Sequence, residues 1–109
     1  MRQGRRRLFT VILDFRGGTY IFQAEADDAT EASRVWAKDF DVKEVWGMGP
    51  AAKKVLIQRM FDPSLRPTPM PEVTNVWCQT ALARGHLCLI HVVETVRPRT
   101  RRARSGRAS

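Results

Sequence analysis

Histidine and cysteine, the residue types most often used as catalytic bases, nucleophiles and metal ligands, are scarce in this sequence of 109 residues. The two histidines, His86 and His91, stand in one apolar segment with Cys88 between them, and Cys78 lies upstream. On a strand, His86 and Cys88 share one face while His91 points to the other, so the three cannot hold one metal ion together. Cys78 can lie beside His91 across a hairpin, which packing explains more simply than a catalytic thiolate does.

These observations predict a protein that is not an enzyme, with no catalytic residues, no metal site, no cofactor and no small-molecule substrate. Asp27 and Asp28 are adjacent carboxylates, and a helix cap explains them better than acid–base catalysis. A binding module is therefore the expected class of protein, and charge and exposed apolar surface are the features that indicate its partner.

A glycine turn at residues 47–49 is the first candidate binding site, since it precedes a predicted helix that begins at Pro50. The segment from Gly47 to Leu56 resembles the hairpin of the helix-hairpin-helix family, in which a glycine–apolar–glycine turn joins two short helices. The resemblance implies that backbone amides and the helix N-terminus hold a nucleic-acid phosphate without reading sequence. The contacts that the resemblance implies are the backbone amides of Gly47 and Gly49. Lys53 and Lys54 lie in the first turn of the predicted helix, where their charge is expected to add to the attraction for a phosphate. The alternative is a glycine turn that only starts a helix.

The arginine-rich ends, residues 1–7 and 97–109, are the second candidate binding site. The formal net charge is +8, yet the span 8–96 holds all 11 acids and only nine of the 19 Lys and Arg residues. Arginines that reach phosphates release counterions, which gives salt-sensitive binding without sequence preference. The arginines expected to contact DNA or RNA are Arg5, Arg6, Arg7, Arg97, Arg99, Arg101, Arg102 and Arg104. The alternative is that both ends, which we expect to be disordered, only keep the protein in solution.

The elements that must position these residues begin with a β-hairpin. Residues 8–15 and 20–26 alternate apolar and polar side chains, and Gly17-Gly18 between them predicts a two-residue turn. This turn pairs Phe15 with Tyr20. One face of the hairpin is then fully apolar, while the other carries Thr10, Asp14, Gln23 and Glu25, interrupted by Ile12 and Ile21.

Two helices follow the hairpin in the predicted order of elements. Asp28, with Glu31 three residues later, is typical of a capping box, and apolar residues then recur at helical spacing up to Phe40. The span 41–46 fits either a short strand or a turn of helix. A second helix is predicted from Pro50 to about Phe61, with a strand at 55–57 as the alternative, and the proline-rich span 62–72 is an extended connector.

A second hairpin is predicted from residues 73–82 and 86–95. A three-residue loop ending at Gly85 is the favoured connection, and a two-residue turn at Arg84-Gly85 is the alternative. With either loop both faces of this hairpin are substantially apolar, and one layer of helices covers only one of them. The residues expected to form a protein interface on the outer face are Trp77, Leu87, Leu89 and His91.

The sequence as a whole predicts one α+β domain over residues 8–96, a four-stranded antiparallel sheet with two helices on one face in the order ββααββ. The first hairpin and helix are also similar to the opening of HicB-type antitoxins, through Gly17-Gly18-Thr19-Tyr20 and Ala29-Thr30-Glu31-Ala32. The alternative to nucleic-acid binding is a protein-interaction or antitoxin-like homodimer that uses the apolar outer face of the second hairpin. The chain resembles a small bacterial protein, and the absence of an apolar run of about 20 residues predicts a cytoplasmic location without membrane contact.

Overall fold

The fold is an α+β arrangement of one antiparallel sheet and two helices, seen in a computed structural model that describes residues 6–96. Residues 1–5 and 97–109 lie outside the described part, so the predicted disorder of the arginine-rich ends falls almost wholly there. The elements are β1 (Arg7–Phe15), β2 (Gly18–Ala26), α1 (Ala29–Asp39), a 3-10 turn (Val42–Glu44), α2 (Pro50–Phe61), β3 (Thr68–Pro69), β4 (Val76–Ala83) and β5 (His86–Thr95). The strand order in the sheet is β2-β1-β5-β4-β3.

The fifth strand, β3, corrects the prediction of a four-stranded sheet in the order ββααββ. It consists of Thr68 and Pro69, which pair with Cys78 and Trp77 of β4. Proline lacks a backbone N–H, so it is tolerated on an edge strand, where no further ladder is needed. The connector was expected to be extended, and part of it becomes a strand because its backbone runs along the free edge of β4.

The first hairpin turns one residue earlier than predicted, at Arg16-Gly17. Both residues have positive φ, 50° and 85°, as in the type I′ turns that suit hairpins. Phe15 therefore pairs with Gly18, and the predicted pairing of Phe15 with Tyr20 is wrong by two residues. Side chains alternate with a period of two, so this shift leaves the predicted apolar and polar faces unchanged.

The second hairpin also has a two-residue turn, at Arg84-Gly85, where φ is 53° and 84°. Ala83 pairs with His86, so the favoured three-residue loop is wrong and the two-residue alternative is confirmed. Removing one residue from the loop reverses the faces of β4 relative to that prediction. Trp77 consequently faces the helices, and its ring meets the Phe9 ring edge-on at 6.1 Å.

The core lies between the sheet and the two helices, which cover one face only. α1 begins as predicted, because the Asp28 side chain accepts a hydrogen bond from the Glu31 backbone N–H at 2.8 Å. Its Trp36 ring stacks on Phe40 with 5.0 Å between centroids, and both rings pack against Phe22 of β2. The fully buried sheet residues are Phe9, Val11, Leu13, Phe15, Ala26, Ala83, Cys88, Ile90 and Val92.

α2 spans Pro50–Phe61, as predicted, and supplies three buried residues to the core: Ala52, Leu56 and Met60. Gly49 is its N-cap residue, with proline in the first turn. The ambiguous span before it is a turn of 3-10 helix, not a strand.

Candidate interaction surfaces

The sheet face opposite the helices, named the open face here, is formed by every second residue of four strands. Its members are Leu8, Thr10, Ile12 and Asp14 of β1, Thr19, Ile21, Gln23 and Glu25 of β2, Val76, Cys78, Thr80 and Leu82 of β4, and Leu87, Leu89, His91, Val93 and Thr95 of β5. No helix or loop of residues 6–96 lies over them, and none of them is buried. The set contains no Lys or Arg.

Apolar side chains recur across the open face, from the edge strand β2 to the turn between β4 and β5. Ile12 pairs with Ile21 on one side and with His91 on the other, and His91 pairs with Cys78. Ile21 is 66% exposed, and Leu87 and Leu82, which pair with each other, are 57% and 55% exposed. Contiguous exposed apolar surface of this kind marks an interaction site more often than scattered single residues do.

The predicted interface residues divide between the two faces of the sheet. Leu87, Leu89 and His91 lie on the open face, and Trp77 does not, since it packs against the core. A sequence signal for the missed residues Ile12 and Ile21 existed, because they interrupt the polar residues on that side of the first hairpin.

The start of β1 and the end of β5 are neighbours in the sheet, with Leu8 paired to Thr95. Arg7 already belongs to β1, one residue inside the segment expected to be disordered. Its guanidinium contacts both carboxylate oxygens of Glu94, at 2.9 and 3.0 Å. Arg6 donates to Glu31 at 3.1 Å. These two predicted nucleic-acid contacts are therefore engaged with acids of the same domain.

The bidentate pair of Arg7 and Glu94 shifts both groups toward their charged forms. The hydrogen bonds from Arg7 lower the pKa of Glu94, and the Glu94 carboxylate raises the pKa of Arg7. Both side chains retain solvent contact, so the pair fastens the entry of the chain into the sheet with a modest energy.

The glycine turn lies at the other end of the sheet, beside both hairpin turns. Gly47 has φ 82°, and a Cβ atom there would lie 3.1 Å from Nη1 of Arg16. The Arg16 guanidinium stacks over Trp46, which is 68% exposed, at 5.1 Å from the ring centre. A concavity between this turn and Arg84 is lined by Gly49 and the first turn of α2. At about 3.3 Å per residue, the length of β1 separates the turn from the start of β1 and the end of β5 by roughly 30 Å.

Lys53 and Lys54, the predicted phosphate contacts of this turn, differ in what they touch. The Lys53 ammonium donates to the carbonyl oxygens of Phe40 and Lys38, at 2.5 and 3.1 Å, so it is directed to the end of α1. Lys54 is exposed. Gly47 and Gly49 are exposed as well, which leaves the backbone of the turn accessible.

The histidines and cysteines lie as the strand periodicity predicts. His91 and Cys78 are cross-strand partners on the open face, whereas Cys88 is fully buried on the core side. Burial raises the pKa of the Cys88 thiol to about 11, so this thiol stays protonated near neutral pH. Within residues 6–96 there is no group of three or more His, Cys, Asp or Glu residues able to hold a metal ion.

A groove of about 260 Å³ runs between β2 and the end of α1. Its floor is aromatic, formed by Phe22, Trp36 and Phe40, and its rim carries Asp39, Asp41 and Glu44. The buried indole Nε1 of Trp36 has no hydrogen-bond partner in the described part of the chain. Three carboxylates therefore line the rim of this aromatic groove.

Comparison of the chain with protein-family models, with curated proteins and with solved structures gives no significant match. Across the described span, neither helix is long and apolar enough to cross a bilayer.

Proposed function

We propose that this protein is a non-enzymatic binding module that contacts nucleic acid without sequence preference, mainly through its arginine-rich ends. The observation that carries the proposal is the pairing of Leu8 with Thr95 at the entry and exit of the sheet. Segments that continue from neighbouring strand ends start from one side of the domain. Their positive charges then add in one region, which strengthens attraction to a polyanion.

The balance of charge favours the ends over the folded part as the source of this attraction. Residues 6–96 contain 11 Lys and Arg residues and 11 Asp and Glu residues. Some of these bases are engaged internally, as Arg7 is with Glu94 and Lys53 is with Phe40. The eight arginines outside this span have no acid in their own segments: Arg2, Arg5, Arg97, Arg99, Arg101, Arg102, Arg104 and Arg107.

The turn at Gly47–Gly49 is a second contact in this proposal. Its support is the accessible backbone at the N-terminus of α2, beside Arg16 and Arg84. The distance of roughly 30 Å between the turn and the start of β1 corresponds to about nine base pairs of a duplex. A longer nucleic acid is therefore required for the ends and the turn to act together.

Fluorescence anisotropy with labelled mixed-sequence DNA and RNA of about 20 nucleotides tests the role of the ends. We expect binding that weakens steeply with salt. If six arginines reach phosphates of duplex DNA, the logarithm of the association constant should fall with the logarithm of the salt concentration with a slope of about −5. Replacing the six arginines after Val96 with glutamine should abolish most of the binding and flatten this slope. Replacing them with lysine keeps the charge and is the matched control. Absence of binding at low ionic strength, or full binding by the glutamine variant, overturns the proposal.

The turn is tested separately by Gly49→Asp and Gly49→Asn. Gly49 is an N-cap residue with φ −103° and open space around it, so both side chains fit and can cap α2. Only aspartate adds a negative charge where a phosphate would lie. Weaker binding by Gly49→Asp than by Gly49→Asn supports the turn as a contact, and equal binding assigns the activity to the ends alone.

A further inference from the structure

We propose that the open face packs against the open face of a second copy of this chain, forming a symmetric two-sheet homodimer. The proposal is independent of nucleic-acid binding, because no Lys or Arg belongs to the face. It rests on the apolar character of the face, on its charge distribution, on its size and on what the rest of the sequence can supply.

The centre of the open face has the composition of an interface core. Ile12, Leu89 and Val93 surround His91, and Ile21 continues the apolar surface toward the free edge of β2. Depletion of charge at the centre distinguishes interface cores from ordinary surface. Leaving several large aliphatic side chains exposed on one face costs solvation free energy that a partner would recover.

The charged residues of the open face lie at its margins. Asp14 is next to the turn of the first hairpin, where it accepts a hydrogen bond from Thr19 at 2.7 Å. Glu25 is near the opposite end, on the edge strand. When two copies meet through their centres, the carboxylates of one copy therefore do not face those of the other. A symmetric interface between identical surfaces requires this, because like charges that face each other repel.

The size of the open face fits a stable dimer. Four strands spaced by about 4.8 Å and about 30 Å in length present roughly 600 Å² of flat sheet on each copy. Two such faces cover about 1,200 Å² before the relief of the side chains is added, the lower bound of specific interfaces. Sheets that pack face to face interdigitate their side chains at a separation of about 10 Å, as in β-sandwiches.

No element of residues 6–96 covers the open face, and the remaining residues of the sequence are poor in apolar side chains. Both helices lie on the opposite side of the sheet, against Phe9 and Trp77. The segments outside residues 6–96 contain one large apolar residue, Met1, among arginines and small residues. Covering several aliphatic side chains takes an apolar partner, and a second copy supplies one of matching size and shape.

Light scattering coupled to size exclusion, on the full chain at high salt, tests the proposal. We expect a dimer mass, and we expect Leu87→Glu and Ile21→Glu to raise the dissociation constant at least about 10-fold, because each replaces an exposed aliphatic contact of the open face with a charged side chain. Both residues are more than half exposed, so these variants fold, which circular dichroism verifies. Val73→Glu is the matched control, since Val73 is 55% exposed outside the open face. It should stay dimeric.

The thiol of Cys78 gives a second readout at the centre of the open face. Its alkylation should slow as protein concentration rises through the dissociation constant, and Leu87→Glu should remove this protection. A wild-type chain that remains monomeric at roughly 1 mM overturns the proposal. So does a dimer whose mass and Cys78 protection are unchanged by Leu87→Glu and Ile21→Glu, because its interface would then lie elsewhere. Neither result bears on nucleic-acid binding, which is measured with the arginine variants.

Discussion

Lys53 and Arg34 each donate hydrogen bonds from one helix to backbone carbonyl oxygens at the end of the other helix. The Lys53 ammonium on α2 lies 2.5 Å from the Phe40 carbonyl oxygen at the end of α1. The Arg34 guanidinium on α1 donates to the carbonyl oxygen of Met60, near the end of α2, at 3.0 Å. Each base therefore satisfies carbonyl groups that a helix end leaves unpaired, and the two helices are fastened antiparallel.

Substitution of Lys53 tests this fastening. We expect Lys53→Ala to lower the free energy of unfolding by about 1 to 2 kcal/mol, because it removes a charged donor from two carbonyl groups. Lys54→Ala, at the exposed neighbouring position, should change stability by less than about 0.5 kcal/mol. Urea denaturation of the three proteins gives both values. Equal stability of the two variants would show that the Lys53 contacts contribute nothing.

The pair of Arg7 and Glu94 should make stability depend on acidity. Arg7 lowers the pKa of Glu94, so the pair stabilises the fold above the usual glutamate pKa, and this contribution is lost as pH falls through the lowered value. Glu94→Gln should therefore be less stable than wild type at neutral pH, by up to about 1 kcal/mol, with the difference disappearing in acid. Thermal unfolding across this pH range measures it. Glu72→Gln, on an exposed loop, is the control, and a pH-independent deficit for Glu94→Gln would contradict the assignment.

The two thiols should differ in reactivity. At about pH 8 the Cys88 thiol, with a pKa of about 11 and no solvent contact, should not react with a disulfide reagent in the folded protein. Cys78, which is partly exposed, should react at dilute protein concentration. We expect one reactive thiol in the folded wild type and none in folded Cys78→Ser. After denaturation, the wild type should show two reactive thiols. Two fast thiols in the folded wild type would exclude burial of Cys88.

The same burial predicts loss of stability in alkali. Cys88 has a higher pKa in the folded chain than in the unfolded one, so its contribution is complete below the unfolded pKa and decreases as pH rises toward about 11. The slope of stability against pH between about 9 and 11 should be shallower in Cys88→Ala than in wild type. Denaturant titrations at several pH values provide the comparison, and identical slopes would rule out this source.

The positive φ angles of the hairpin turns predict a stabilising substitution. Asparagine adopts this conformation more readily than arginine, so Arg84→Asn should raise the free energy of unfolding by roughly 0.5 to 1 kcal/mol. Arg16 has the same backbone requirement but stacks over Trp46, so Arg16→Asn should gain less. Chemical denaturation distinguishes the two. A loss of stability in Arg84→Asn would mean that its side chain makes a contact worth more than the turn preference.

Side-chain alternation proved a better guide to the first hairpin than to the second. The predicted pairing of Phe15 with Tyr20 was displaced by two residues, an even number, so the apolar face survived the error. In the second hairpin the error was one residue of loop length, which moved Trp77 from the outer face to the core. The two faces of β5 are as predicted: Cys88, Ile90 and Val92 lie on one face, and Leu87, Leu89 and His91 lie on the other.

Contacts between distant parts of the chain were beyond the reach of local patterns. The capping box at Asp28 was predictable because Glu31 lies three residues away. The contact of Lys53 with Phe40 depends on how α1 and α2 pack, and charge alone suggested a phosphate partner instead. The pairing of Thr68 with Cys78 similarly required an edge strand that the proline content of the connector disfavoured.

Because Leu8 pairs with Thr95, the first and last strands of the fold bring the two ends of the folded part close together. A short glycine–serine linker could join Val96 to Arg6, and the chain could instead begin and end at the exposed Ser64. This circular permutant would have the same sheet and helices. Such a permutant can carry the arginine-rich segments at its new ends, away from the entry of β1. The position of the arginine-rich segments on the fold can then be changed without changing the fold itself.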